Sequence, residues 1–178
     1  MKITILRAAA ATTLALLASA CADQKKLQFC PGMTSVLDAS METVFRPGTS
    51  PDPANALYTL RISDVSGDCS YDKKGRTSDS SLDISFEATR PAPGPAAQYT
   101  VQYFVAVTQA DRVVDRVLRP ITFAFDPGQT SSSASDHVSS VELVTDGDKK
   151  PYDYQVLVGL QLSKAQLDYN RSVGIFQK

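Results

Sequence analysis

The stretch Leu82-Asp83-Ile84-Ser85-Phe86-Glu87-Ala88-Thr89 constrains this chain more than any other. Apolar and polar side chains alternate along it without a break, the period of a strand with one buried and one wet face. A helix would scatter Leu82, Ile84, Phe86 and Ala88 around its circumference. A strand with one wet face is expected in an antiparallel sheet.

The neighbouring segments repeat the pattern with local changes. Tyr58, Leu60 and Ile62 alternate with Thr59 and Arg61, and the apolar parity then moves to Val65, Cys69 and Tyr71. A change of parity inside one extended segment predicts a bulge or bend near Ser63-Asp64 or Gly67. Asp72-Lys73-Lys74-Gly75 reads as a hairpin turn, with Gly75 free to take a positive φ. Pro91 to Ala97 is a surface loop. Tyr99 to Val107 is apolar at nearly every position, which predicts a central strand covered on both faces. Gln109 to Arg112 turns the chain. Val113 to Phe125 returns, with Pro120 marking an edge or bulge because it has no N–H for the ladder. Asp126 to Asp136 reads as a flexible loop and Val138 to Val144 as a weaker strand. Asp146 to Pro151 turns again. Asp153 to Leu162 sets Tyr154, Val156, Val158, Leu160 and Leu162 on one face.

Two segments are short of a strand signal. Thr34 to Phe45 is open between two short strands and a short helix capped by Ser40. Ser163-Lys164-Ala165-Gln166 has the form of a capping box, predicting a helix from Lys164 to about Asn170 that packs through Leu167 and Tyr169. The expectation is all-β: an immunoglobulin- or fibronectin-III-like antiparallel β-sandwich with a short C-terminal helix over residues 29–171, followed by a flexible tail at 172–178.

The N-terminus carries a different message. Lys2 and Arg7 precede the apolar run Ala8 to Ala18, which ends in Ser19-Ala20-Cys21. A basic start, a short apolar stretch and small residues at its end make a secretory signal peptide. The run is shorter than the roughly twenty residues that span a bilayer. Ala18-Ser19-Ala20-Cys21 resembles the lipobox of bacterial lipoproteins, with Ala18 where Leu is commonest. The resemblance implies cleavage before Cys21 and acylation of its thiol, so residues 1–20 are the signal peptide and 21–28 a polar tether. Membrane lipid then becomes a partner through Cys21. Ala22 after the cysteine implies outer-membrane sorting, on the periplasmic face. Ala18-x-Ala20 also suits ordinary signal peptidase, which leaves the alternative of a soluble periplasmic protein.

Export sets the redox chemistry. With Cys21 assigned to lipid, Cys30 and Cys69 remain as a pair in an oxidising compartment and are expected to form a disulfide. A metal site at that pair is disfavoured, because the single histidine, His137, cannot complete the usual ligand sets. Removal of residues 1–20 takes away Lys2 and Arg7, leaving 16 Lys+Arg against 19 Asp+Glu. That balance is no footprint for nucleic acid.

Catalytic signatures are sparse. His137 follows a Ser-rich loop and there is no G-x-S-x-G elbow, so a triad is not expected. Asp146-Gly147-Asp148 lacks the spacing of a calcium loop and reads as a turn. Tyr152 and Tyr154 mark a place for a loop-end binding patch. No catalytic residue, metal or cofactor is expected. The stretches CPG, DCSYDKKG, YFVAVT and YQVLVGLQLSKAQLDYNR together resemble small bacterial envelope lipoproteins, and that resemblance implies no activity. The functional expectation is a non-enzymatic interaction or envelope-assembly module with a protein partner in the envelope. The alternative is a lipoprotein that binds glycan or a small hydrophobic molecule.

Overall fold

The alternating segments pair as antiparallel strands in a two-layered sandwich. The computed structural model describes residues 30–72 and 74–174. The expected signal peptide and tether, with Cys21, and residues 175–178 lie outside the described residues.

The strands are β1 (Gly32–Ser35), β2 (Met41–Phe45), β3 (Ala56–Tyr71), β4 (Thr77–Thr89), β5 (Ala97–Gln109), β6 (Arg112–Phe125), β7 (Ser131–Val144) and β8 (Tyr154–Leu160), followed by helix α1 (Lys164–Ser172). One sheet has the order β1-β8-β5-β6 and the other β2-β3-β4-β7. Among the described strands only β1 and β8 pair in parallel. Among the described residues the architecture is therefore all-β with one short C-terminal helix.

The core follows the sequence parity. Leu82, Ile84, Phe86 and Ala88 are each at most 1 % exposed, and they meet Tyr103, Val105, Phe123, Val156 and Val158 from the other sheet. Tyr58, Tyr99, Phe123 and Phe125 form an aromatic cluster at one end, with neighbouring ring centroids 4.6–6.4 Å apart. The β3–β4 register slips between Ile62 and Asp64, so Ser63 is the bulged residue that flips the parity. Gly75 takes φ 62° in the β3–β4 turn.

The open segment Thr34–Phe45 resolves as two strands separated by the 3-10 turn Leu37–Ala39. That turn carries the chain from one sheet to the other. It presses Ala39 near Gly159 of β8, where an added Cβ would lie 2.5 Å from the Phe104 ring. The central strand is β5, as expected, but its cover is uneven. Residues 105–108 are buried on both faces, whereas Thr100 and Gln102 face outward into solvent.

One expectation needs correction. Asp126–Asp136 is not a flexible loop throughout, because Ser131–Asp136 is the first half of β7, paired with β4 from Thr89 to Ile84. Ser132, Ala134 and Asp136 point partly inward and Ser131, Ser133 and Ser135 outward. The small polar side chains hide the alternation from a hydropathy reading while leaving the backbone free to pair. The remaining loop is clamped by Arg90, whose guanidinium donates to the carbonyls of Gln129, Pro95, Gly94 and Asp126 at 2.6–3.2 Å. The helix also runs two residues past Asn170, so Ser172 belongs to α1 rather than to a tail.

Candidate functional site

The two flanks of a sandwich are its exposed edges, and here they differ. At one flank lie β1 and β2, with α1 packed on β2 and on the 3-10 turn between them. Both halves of the expected capping box form, with the Ser163 hydroxyl accepting from the Gln166 N–H and the Gln166 side chain accepting from the Ser163 N–H. Asn170, 2 % exposed, donates to the carbonyls of Asp38 and Met41 at 3.0 and 2.7 Å. Tyr169 meets Phe45 edge to face at 5.0 Å. Cys30, just before β1, is bonded to Cys69 on β3, with the Cα atoms 5.8 Å apart.

At the other flank lie β6 and β7, the edge strands of opposite sheets. Their later and earlier halves approach each other. There Arg119 donates through Nε to the Tyr103 hydroxyl and to Asp136 Oδ2, both at 2.9 Å, and the Tyr103 hydroxyl donates to the same oxygen at 2.5 Å. Burial alone would raise the Asp136 pKa, but the bonds from Arg119 and Tyr103 outweigh it and hold the carboxyl below its ordinary value. Burial, and then Asp136, push the Tyr103 phenol upward, so it stays a proton donor.

Beyond this three-residue clasp the sheets splay. The slot between them has a volume of about 530 Å³ and is lined by Val105, Val107, Val117, Val138, Val141 and Val144 together with Asp115, Arg119, Ser140 and Glu142. Ile121, Phe123 and Phe125, on the inner face of β6, are buried. Two and four residues earlier on the same face, Arg119 is half-buried and Val117 is 50 % exposed. Val113, Val114 and Leu118 are also exposed, and so is Val144 across the slot. Such clustering of large apolar side chains on one edge is the kind of patch that marks interaction surfaces.

The backbone of this edge can be oriented from the register. The Gln161 N–H donates to the Gln102 carbonyl at 2.9 Å, so the polar backbone groups of Gln102 point to β8. Its partner across the β5–β6 ladder, Pro120, therefore turns its own away from β5. This explains how a proline sits inside β6: the missing N–H lies on the free side. By the same alternation Arg116 and Leu118 also point their N–H and C=O groups outward. The Asp115 carboxylate accepts the Arg116 N–H at 2.7 Å. No described strand pairs with β6 on that side.

The residues singled out in the sequence are not gathered here. Cys30 and Cys69 meet each other at the opposite flank. His137 lies on the outer face of β7 with Nδ1 2.8 Å from the Asp83 carboxylate, both largely exposed. Tyr154 is buried and accepts the Asp146 N–H at 3.0 Å through its hydroxyl, whereas Tyr152 is exposed, so the two do not form one patch. Among the described residues, no three His, Cys, Asp or Glu side chains are grouped to hold a metal ion, and no helix is long and apolar enough to cross a membrane.

The slot itself was not foreseen. The signal for it was present in Arg112-Val113-Val114-Asp115-Arg116-Val117-Leu118-Arg119, which is apolar on both parities in a strand that Pro120 marks as an edge. No family model, curated protein or solved structure matches this chain.

Proposed function

We propose that this chain is a bacterial envelope lipoprotein. Acylated Cys21 anchors it to the periplasmic face of the outer membrane, and its sandwich serves as a non-enzymatic interaction or assembly module. The anchor rests on the basic start, the apolar run and Ala18-Ser19-Ala20-Cys21. The module rests chiefly on one observation: the valine-lined slot opens between two unpaired sheet edges. A rigid edge of this kind suits a protein segment that adds as a further strand. An immunoglobulin- or fibronectin-III-like kinship is proposed for the layering alone. In the immunoglobulin arrangement the chain changes sheets after its second strand, whereas here β2, β3 and β4 stay together.

The test has two arms. Labelled palmitate should enter the full chain and be lost in Cys21→Ala; an unlabelled wild type refutes the anchor. Val117→Arg fills the slot with charge and should abolish association with envelope protein in crosslinked cells without changing Cys21 labelling. Undiminished crosslinking would refute the slot as the contact surface.

A further inference from the structure

The free edge of β6 is guarded, and the guards define what can pair with it. Edge strands are commonly protected by inward-pointing charges and by proline. Here Asp115 and Arg119 lie on the inner face beside Val117, and Pro120 removes one outward N–H. Most strands laid along this edge would leave Asp115 facing no cation, while Arg119, whose Nε already holds Asp136, would turn only its terminal nitrogens to the newcomer. A strand that presents an arginine opposite Asp115 and an acid opposite Arg119, with a small apolar residue between, satisfies both.

Strand β6 is itself such a strand. Run antiparallel to a second copy about a two-fold axis at Val117, it sets Val117 against Val117 of the second copy. Asp115 then faces the second copy's Arg119, twice over. Leu118 lies opposite Arg116 in a pair whose outward backbone groups exchange hydrogen bonds. The alternatives are poorer. An axis at Arg116 sets that arginine against its own copy, and an axis at Leu118 leaves Asp115 opposite Ile121. Directly opposed like charges are destabilising and opposed unlike charges favourable.

From this self-complementarity we infer that β6 is a homodimer edge, through which two copies join their β1-β8-β5-β6 sheets into one continuous sheet. The inference rests on reading the slot as a contact surface and names its occupant. The second copy's Val117 covers the mouth of the valine-lined slot. Leu118, 51 % exposed in one copy, gains the aliphatic stem of Arg116 from the other. Asp115 has a task in each state. In the single copy it accepts the Arg116 N–H and so masks the edge. In the pair it releases that N–H to the ladder and turns to the second copy's Arg119.

The test uses the full chain in cells and the acylated protein in detergent. At a central non-hydrogen-bonded pair the two Val117 Cα atoms lie about 4.5 Å apart, within disulfide reach. Val117→Cys should therefore give an oxidised homodimer, while Val173→Cys, exposed at the opposite flank, should not. Asp115→Arg faces like charges across the axis and should render the protein monomeric in sedimentation. Leu118→Pro removes only an outward N–H and should do the same while melting as a folded protein. A Val117→Cys dimer no more abundant than that of Val173→Cys overturns the inference. So does a dimer that survives both Asp115→Arg and Leu118→Pro. A photocrosslinker at position 117 separates the two levels of the argument. Adducts to a different protein alone overturn the second copy and leave the slot as a contact surface. No adduct to any protein overturns both.

Discussion

The flank built from β1 and β2 and the flank built from β6 and β7 face the same physical problem and answer it differently. Each ends a sheet and exposes backbone donors and acceptors to any passing strand. At the first, the chain covers the edge with itself: α1 lies along β2, Asn170 takes up two carbonyls, and Cys30–Cys69 ties the start of β1 to the opposite sheet. At the second, a clasp of Tyr103, Arg119 and Asp136 closes half the edge, and the other half opens into the slot. The difference teaches that stability and availability are segregated in this sandwich. The first flank contributes covalent and buried polar links and keeps a pocket of about 420 Å³ between Phe45 and Tyr169, whereas the second leaves large apolar side chains on a bare strand edge.

The sharpest way to break this contrast is at the staple. The disulfide spans 39 residues of chain, and closing a loop of that size is worth about 3–4 kcal/mol in the chain-entropy model. Cys30→Ser with Cys69→Ser should lose that much in a urea unfolding series. Association through the slot should survive wherever the domain remains folded. Loss of association in a folded double variant would show that the flanks are coupled.

The clasp comes next. Asp136→Ala leaves the Tyr103 hydroxyl and the Arg119 guanidinium without their shared acceptor, at a cost of about 1–3 kcal/mol. Because the folded carboxyl is held below its ordinary pKa, its contribution is present at neutral pH and fades as pH falls through the folded value. The wild type should therefore lose stability on acidification by an amount that Asp136→Asn lacks. Parallel acid limbs in the two proteins would place the clasp's energy elsewhere. Asn170→Ala at the first flank should cost about 1–2 kcal/mol, since each of its two carbonyl bonds is worth about 1 kcal/mol. The melting temperature should drop while sedimentation is unchanged.

How much of this could be read from the sequence follows the same division. Strand β4 and the first half of β3 were legible because large apolar residues alternate with polar ones, and β5 and β8 because their runs are apolar on nearly every position. The Ser63 bulge was legible because parity is a strict count. The first half of β7 was not: serines in a row carry no hydropathy signal, and only pairing with β4 makes Ser131–Asp136 a strand. The capping box was visible in four residues, yet α1's role in sealing β2 was hidden, because Gln166 and Asn170 find their partners 124 and 129–132 residues away. The slot depends on where two sheets splay, a property of the whole fold. Its residues could be seen as oddly apolar for an edge, but the space between them could not. Cys21 and the meaning of the first twenty residues rest on the sequence alone.

The smallest expected effect sharpens the comparison by reversing its sign. Glu42 points into the sandwich from edge strand β2, 8 % exposed, and accepts a bond from Gln166 Nε2 at 2.8 Å. Burial raises its pKa and the bond from Gln166 only partly lowers it again. An acid whose pKa is raised by folding binds protons more tightly in the folded state. Wild-type stability should thus fall as pH climbs from the ordinary carboxylate value of 4.5 through the raised one. Glu42→Gln keeps an acceptor for Gln166 and removes the charge. It should gain about 0.5–1 kcal/mol at neutral pH, in the range usual for a stabilising substitution, and nothing below pH 4.5. Asp136 and Glu42 are both inward-facing acids at sheet edges, but they answer acid with opposite slopes, because one is met by a guanidinium and the other by an amide. A Glu42→Gln variant less stable than wild type at neutral pH would mean that the buried charge is itself part of the seal, held there against other strands at a cost in stability.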